Sequence, residues 1–192
     1  MGDSTEEYWT QRYREGLTGW DIGYASPALM KYCEQLALNT QILIPGAGNA
    51  YEWVALKELG FTNVSVIDIS GLPIERLKLN YPQWAHELIH GDFFEHQGAY
   101  DLILEQTFFC ALSPKLRAAY VQHMNNLLKP NGALVGLLFN RNFEKEGPPY
   151  GGEVQEYESL FKAAFSSFVA SPCNDSIPER AGSELFFKAS GQ

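Results

Sequence analysis

Cysteine is scarce: Cys33, Cys110 and Cys173 are the three in a chain of 192 residues. They lie far apart, without the close pairs of a zinc site. Their odd number leaves no disulfide framework, so reduced thiols and a cytoplasmic setting are expected. Basic residues are also in deficit, 14 against 23 acidic ones, for a formal charge of −9. Such a field repels nucleic-acid backbones and anionic membrane surfaces, and neither is expected as a partner. No apolar run approaches the roughly 18 residues of a membrane span. Residues 1–7 are acidic and polar, the wrong character for a signal peptide. Repeats, low-complexity tracts and linkers are lacking, and the length suits one domain with a single core. Nothing in the sequence points to an oligomeric state.

What the chain does have is a glycine turn in a telling place. Ile42-Leu43-Ile44 reads as a short apolar strand, Pro45-Gly46-Ala47-Gly48 as the turn that ends it, and residues 53–59 as a helix. Twenty residues past Gly48 a second apolar run, Val64-Ser65-Val66-Ile67, ends in Asp68. Glycines let the backbone approach a ligand, and an acid closing the second strand accepts hydrogen bonds from ribose hydroxyls. A dinucleotide site requires a third glycine where Tyr51 stands. An adenosyl cofactor without a pyrophosphate fits better, and S-adenosylmethionine is the common one. A nucleotide-dependent dehydrogenase is the weaker alternative.

The rest of the chain alternates in the same way. Helices are expected over residues 6–15, with Trp9 and Tyr13 on one face, and over 27–38, opened by Ser26-Pro27. Further strands are expected over 41–44, 64–69, 88–90, 100–105 and 133–139, with helices over 73–80, 114–128 and 156–165. Two late strands, 168–170 and 185–189, suit a terminal antiparallel hairpin. This pattern predicts an α/β fold with a seven-stranded, mostly parallel sheet and helices on both faces. Ligands in such sheets bind at the carboxyl ends of the strands, here Gly46, Asp68, Asp92, Glu105 and Asn140.

One motif misleads. His86-Glu87-Leu88-Ile89-His90 matches a zinc-protease pattern that works only on a helix. Pro82 and Gly91 bracket it too tightly for one. On a strand the two histidines lie roughly 13 Å apart, too far to share a metal. No metal is expected.

The ordered motifs resemble the thiopurine, thiol and halide (thiocyanate) branch of the class I S-adenosylmethionine-dependent methyltransferases, over nearly the whole chain. Trp9, Tyr13 and Thr18-Gly19-Trp20-Asp21-Ile22-Gly23 are similar to its N-terminal aromatic segment. Pro45-Gly46-Ala47-Gly48 is similar to its cofactor turn, with Ala47 in place of cysteine and Asn49-Ala50 in place of glycines. Asp68-Ile69-Ser70 matches its ribose-binding acid and the residues after it, and Gly91-Asp92-Phe93-Phe94 the segment flanking the adenine. Phe109-Cys110-Ala111-Leu112-Ser113-Pro114, Arg117 and Gly147-Pro148-Pro149-Tyr150 look most like the plant-type halide and thiol enzymes. Glu105 stands where aspartate is more usual, and Gln106 where the halide enzymes often carry tyrosine.

The resemblance implies a single Rossmann-like domain, 1–192, with residues 1–38 as a helical lid segment and 39–192 as the sheet core. S-adenosylmethionine is the implied donor, held by Gly46, Gly48, Asp68, Ile69, Asp92 and Phe93 under Trp9, Tyr13 and Trp20. Glu105 would face the donor's ammonium group, and Tyr150 would act on the substrate side. The implied acceptor is a small thiol or halide-like anion. Soft anions need a dry pocket and no general base, which suits aromatics such as Phe109 near the methyl. A larger aromatic or heterocyclic thiol, or an adenosyl-binding protein without turnover, are the alternatives.

Overall fold

The computed structural model describes residues 5–191, so part of the acidic N-terminus, residues 1–4, and Gln192 lie outside it. Seven strands form one sheet: β1 Gln41–Pro45, β2 Asn63–Asp68, β3 Leu88–His90, β4 Tyr100–Gln106, β5 Leu128–Phe139, β6 Ser167–Pro172 and β7 Glu184–Ser190. Their order is β3-β2-β1-β4-β5-β7-β6. The pairs among β1 to β5 are parallel, and β7 runs antiparallel to both β5 and β6.

Helices cover both faces. Leu43, Ile103 and Leu134 belong to one core with Tyr120, Met124, Tyr157 and Phe161. Ile42, Ile44, Leu102, Leu104 and Val135 belong to the other, with Leu29, Trp53, Leu56 and Ile74. Neighbours along a strand thus enter opposite layers, as the two-residue pleat requires, and unbroken aliphatic runs are what such doubly covered strands need. The first face carries α5 Arg117–Leu127 and α6 Val154–Phe161. The second carries α2 Pro27–Cys33, α3 Tyr51–Glu58 and α4 Gly71–Asn80. The N-terminal helix, α1 Glu6–Arg14, buries none of its residues fully.

Element ends depart from the sequence reading in places. α2 stops at Cys33, five residues early, because the next segment is used elsewhere: the Leu38 carbonyl accepts from the Thr62 amide and the Asn39 carbonyl from the Asn63 side chain. α3 starts at Tyr51, two residues early, directly on the glycine turn. α6 is shifted to Val154–Phe161. His86 and Glu87 end a 3-10 turn, Pro82–Glu87, and only His90 of the pair lies on a strand. Glu87 is committed to the core: its carboxylate is 2.7 Å from the Lys57 ammonium and accepts from the Trp53 indole at 3.0 Å. Among the described residues no helix is long and apolar enough to cross a membrane.

Candidate active site

Strand order reverses direction between β1 and β4, where a doubly wound sheet opens a crevice at its carboxyl edge. A cavity of about 680 Å³ lies there. One end is lined by the residues that close β1, β2 and β3, and the other by residues that follow β4 and β5.

At the first end, Gly46 and Gly48 adopt φ of 76° and 52°, the left-handed region that favours glycine. A Cβ on Gly46 would meet the Phe108 ring at 2.9 Å. Ala50 takes φ 53° without being glycine. Asn49, beside it, is wired to Asp21, Tyr51 and Arg76. Asp68 ends β2, 7% exposed. Its Oδ1 accepts from the Ser70 amide at 2.8 Å and its Oδ2 from the Tyr13 hydroxyl at 3.1 Å. Burial raises the Asp68 carboxyl above the usual range, against the opposing pull of the bonds from Ser70, Tyr13 and the Ala47 and Gly48 amides. Burial and the adjacent Asp68 raise the Tyr13 hydroxyl, which therefore stays a donor.

The spacing of Trp9 and Tyr13 on α1 places both rings against Trp20, edge-on, with centroids 5.6 Å apart in each case. Thr10 ties the helix to Ser70 at 2.7 Å, and Glu6 lies 3.1 Å from His90. The Trp20 carbonyl accepts from the Arg180 guanidinium at 3.0 Å. Trp9, Tyr13, Trp20, Gly46, Gly48, Asp68, Ile69, Asp92 and Phe93 all line the cavity. Asp92 also caps the turn after β3, accepting from the Phe94 amide at 2.8 Å, and Phe93 is buried against Phe108. A carboxylate for ribose hydroxyls, backbone without side chains and three aromatic faces for a cation fit an adenosyl sulfonium.

Two expected residues are set back from this lining. Glu105 is fully buried, and its Oε1 accepts from the Phe108 and Phe109 amides, both at 2.7 Å. It fastens the turn after β4 from below, and Gln106, next along the pleat, takes the cavity-facing place. Burial pushes the Glu105 carboxyl up to about 7, with nearby Glu184 adding to the effect against those two amide bonds. Tyr150 is likewise not part of the lining, although Pro148 and Pro149 are. Its amide donates to the Cys110 carbonyl at 2.7 Å. Arg117 is buried; it holds the same loop through the Gly151 carbonyl at 2.7 Å and α6 through the Glu156 carboxylate at 2.7 Å.

The second end contains residues the sequence reading missed, Phe139, Arg141, Phe143, Lys145 and Arg180, and Arg12 joins the lining beside Trp20. Arg141 was within reach of the strand-end rule, since it follows Asn140. Arg180, on a 3-10 turn between β6 and β7, carries no local signal. No histidine lines this cavity among the described residues, and Glu179, exposed, is the carboxylate of its second end.

Residues 4–184 match the family described as Thiopurine S-methyltransferase (TPMT). The chain is 34% identical over 167 residues to a probable thiol methyltransferase 2 of Arabidopsis thaliana, covering 83% of this chain and 74% of that protein. It is 30% identical over 184 residues to thiocyanate methyltransferase 1 of Brassica oleracea, covering 92% and 81%. The fold is similar to that of a Burkholderia thailandensis 1,6-didemethyltoxoflavin-N1-methyltransferase, solved with S-adenosylhomocysteine bound. There the TM-score is 0.72 at 21% identity, over 96% of this chain and 85% of that one. The glycine turn and strand-end acid thus have a family to belong to: this chain is a member of the thiopurine S-methyltransferase family, a class I methyltransferase whose methyl donor is S-adenosylmethionine.

Proposed function

We propose that the protein methylates a soft nucleophile, a thiol first of all, with thiocyanate, hydrosulfide and halide as smaller members of the class. The observation that carries this reading is the acceptor end of the cavity: rings, aliphatic side chains and cations, with exposed Glu179 as its carboxylate and, among the described residues, no histidine in the lining. Oxygen and nitrogen nucleophiles usually require a positioned base, whereas a thiolate arrives already deprotonated. S-adenosylmethionine supplies an electrophilic methyl carried on a sulfonium. Asp68 holds the ribose once the Tyr13 hydroxyl yields Oδ2, and Gly46 and Gly48 let the backbone lie against the adenosyl group. Trp9, Tyr13 and Trp20 offer ring faces to the sulfonium, and Phe108 and Leu112 keep water from the line of attack. The thiol proton goes to solvent. The thiolate sulfur then forms the bond to the methyl carbon, and the bond to the donor sulfur breaks with its electron pair left on that sulfur.

In this reading residues 6–23 act as a lid. They touch the sheet core through few bonds, and cofactor should slow hydrogen exchange across them. Equal protection with and without S-adenosylhomocysteine would remove the lid. The free, buried cysteines suit a reducing compartment. The acceptor class is tested by a panel of simple thiols, hydrosulfide, thiocyanate, iodide, phenols and amines. Turnover should be confined to the soft members, rising with pH for thiols as the thiolate fraction rises and flat for iodide. Turnover confined to phenols or amines would overturn the reading.

A further inference from the structure

Fourteen cations serve a chain with 23 carboxylates, and three of them, Arg141, Lys145 and Arg180, stand at the acceptor end of the cavity. Arg180 is spoken for: it is 3.4 Å from Glu184 and donates to the Trp20 carbonyl. Arg141 and Lys145 form no ion pair among the described residues, and both line the cavity. Arg14, Lys115 and Lys188 are exposed and equally without an ion pair among the described residues, but they lie away from the cavity. Two such cations on one cavity wall is a different arrangement.

The wall is also built to hold its shape. The Arg141 guanidinium lies over the Phe143 ring, 4.9 Å from its centroid. Phe143 meets Phe139 edge-on at 5.1 Å, and the Arg180 guanidinium covers Phe139 at 5.6 Å. Phe139 ends β5, so this pair of rings flanked by two cations is anchored in the sheet. The Arg141 carbonyl accepts from the Gly152 amide at 3.1 Å, and a Cβ on Gly151 would fall 1.7 Å from that carbonyl. The backbone carrying Arg141 is therefore packed against the 150–152 segment, and its guanidinium lies over a ring. Cation–ring stacking leaves the in-plane donors of a guanidinium available to an anion.

We propose that the acceptor is an organic thiol bearing a second anionic group, a carboxylate, which Arg141 and Lys145 grip while the sulfur points toward the cofactor end. The inference rests on the S-methylation reading and deepens it: bare halide or hydrosulfide has no handle for these two cations, and a carboxylate with an apolar stem has one for them and for the rings between. Gripping the far end also fixes the approach of the sulfur, a gain in positioning that requires no general base.

The test compares 3-mercaptopropionate with 3-mercaptopropanol, thiols matched in length and differing in the distal charge. The carboxylated thiol should be preferred in kcat/KM by roughly tenfold or more, the usual worth of a charge-assisted contact. The preference should shrink as salt rises. In the double variant Arg141→Gln/Lys145→Gln the ratio should fall to about one through a higher KM for mercaptopropionate. The exchange Arg141→Lys/Lys145→Arg should keep most of it. Affinity for S-adenosylhomocysteine, measured by calorimetry, confirms that each variant is folded. A second readout needs no turnover: binding of 3-(methylthio)propionate and of 3-(methylthio)propanol to the protein saturated with S-adenosylhomocysteine. Turnover of thiols with no carboxylate preference, or a preference that survives the double variant, overturns the anion subsite and leaves S-methylation standing. Carboxylate-dependent binding lost in the double variant, with no thiol turned over, keeps the subsite and overturns S-methylation.

Discussion

At the cofactor end of the cavity, the backbone and carboxylate groups that face a ligand sit at or within a residue or two of strand ends: Gly46 after β1, Asp68 closing β2, Asp92 just past β3. At the acceptor end they come from the loop after β5 and from a 3-10 turn between β6 and β7. The first end is backbone and short side chains beneath the rings of Trp9, Tyr13 and Trp20. The second is long side chains stacked on one another, Arg141 on Phe143 and Arg180 on Phe139. A cofactor common to a family can be met by a turn that local sequence dictates. An acceptor that differs between relatives is met by side chains brought together from across the chain.

The largest expected effect tests whether the two ends are as separate as they look. Glu105 lies below the turn that joins them. Its carboxyl is about 7 in the folded protein against an ordinary value of 4.5, so the folded state holds a proton that the unfolded chain releases. Its contribution to stability is fully present below the unfolded value and is lost as pH rises through the folded one. Denaturant titrations from acid to neutral pH should show the loss, on the order of 3 kcal/mol, and Glu105→Gln should flatten it. An unchanged slope in the variant would assign the pH dependence to other groups.

Asp68→Ala comes next and should strike one end alone. Removing an acceptor for ribose hydroxyls should weaken S-adenosylhomocysteine by roughly tenfold to a hundredfold, about 1.5–3 kcal/mol. The KM for a thiol, measured at saturating donor, should hardly move. Equal affinity in calorimetry would take the carboxylate out of the site.

Arg117→Gln is the mirror experiment. It releases the loop behind Pro148 and Pro149, with about 1–2 kcal/mol of charge-assisted bonding lost. The thiol KM should rise several-fold while cofactor affinity holds. A fall in cofactor affinity of the same size would join the two ends into one unit.

The smallest effect is at Ala50. A left-handed alanine costs about 1–2 kcal/mol, and its buried methyl returns about 0.8 kcal/mol. Ala50→Gly should therefore raise the thermal midpoint slightly, by a net gain under about 1 kcal/mol. A lower midpoint would mean that the methyl contacts outweigh the strain.

The same division explains what could be read without coordinates. Seven strands, both helical layers and the antiparallel pair follow from apolar runs punctuated by glycine and proline, signals that lie within a few residues of what they specify. Gly46, Gly48, Asp68 and Asp92 were legible for that reason. Glu105 was legible as a strand-end acid but not in direction, because whether it turns toward the cavity or toward the Phe108 and Phe109 amides is decided by the turn that folds over it. Arg180 meets Trp20 across 160 residues of sequence, and no local pattern announces such a partner. α2 was read too long because helix propensity in residues 34–38 does not reveal that the Leu38 and Asn39 carbonyls are needed at the start of β2.

The position of β7 bears on how the chain is made. β6 is synthesised first, yet its neighbour in the sheet is β7, which inserts between it and β5. While β7 is still inside the ribosome, β6 lacks its native partner and β5 presents an open edge. That half of the sheet therefore closes in a single late event, and Arg180, on the turn between β6 and β7, comes into place with it. A chain released a few residues short of Glu184 would lose two strands rather than one, together with the brace on Trp20, while the glycine turn and Asp68 stood complete on the other side.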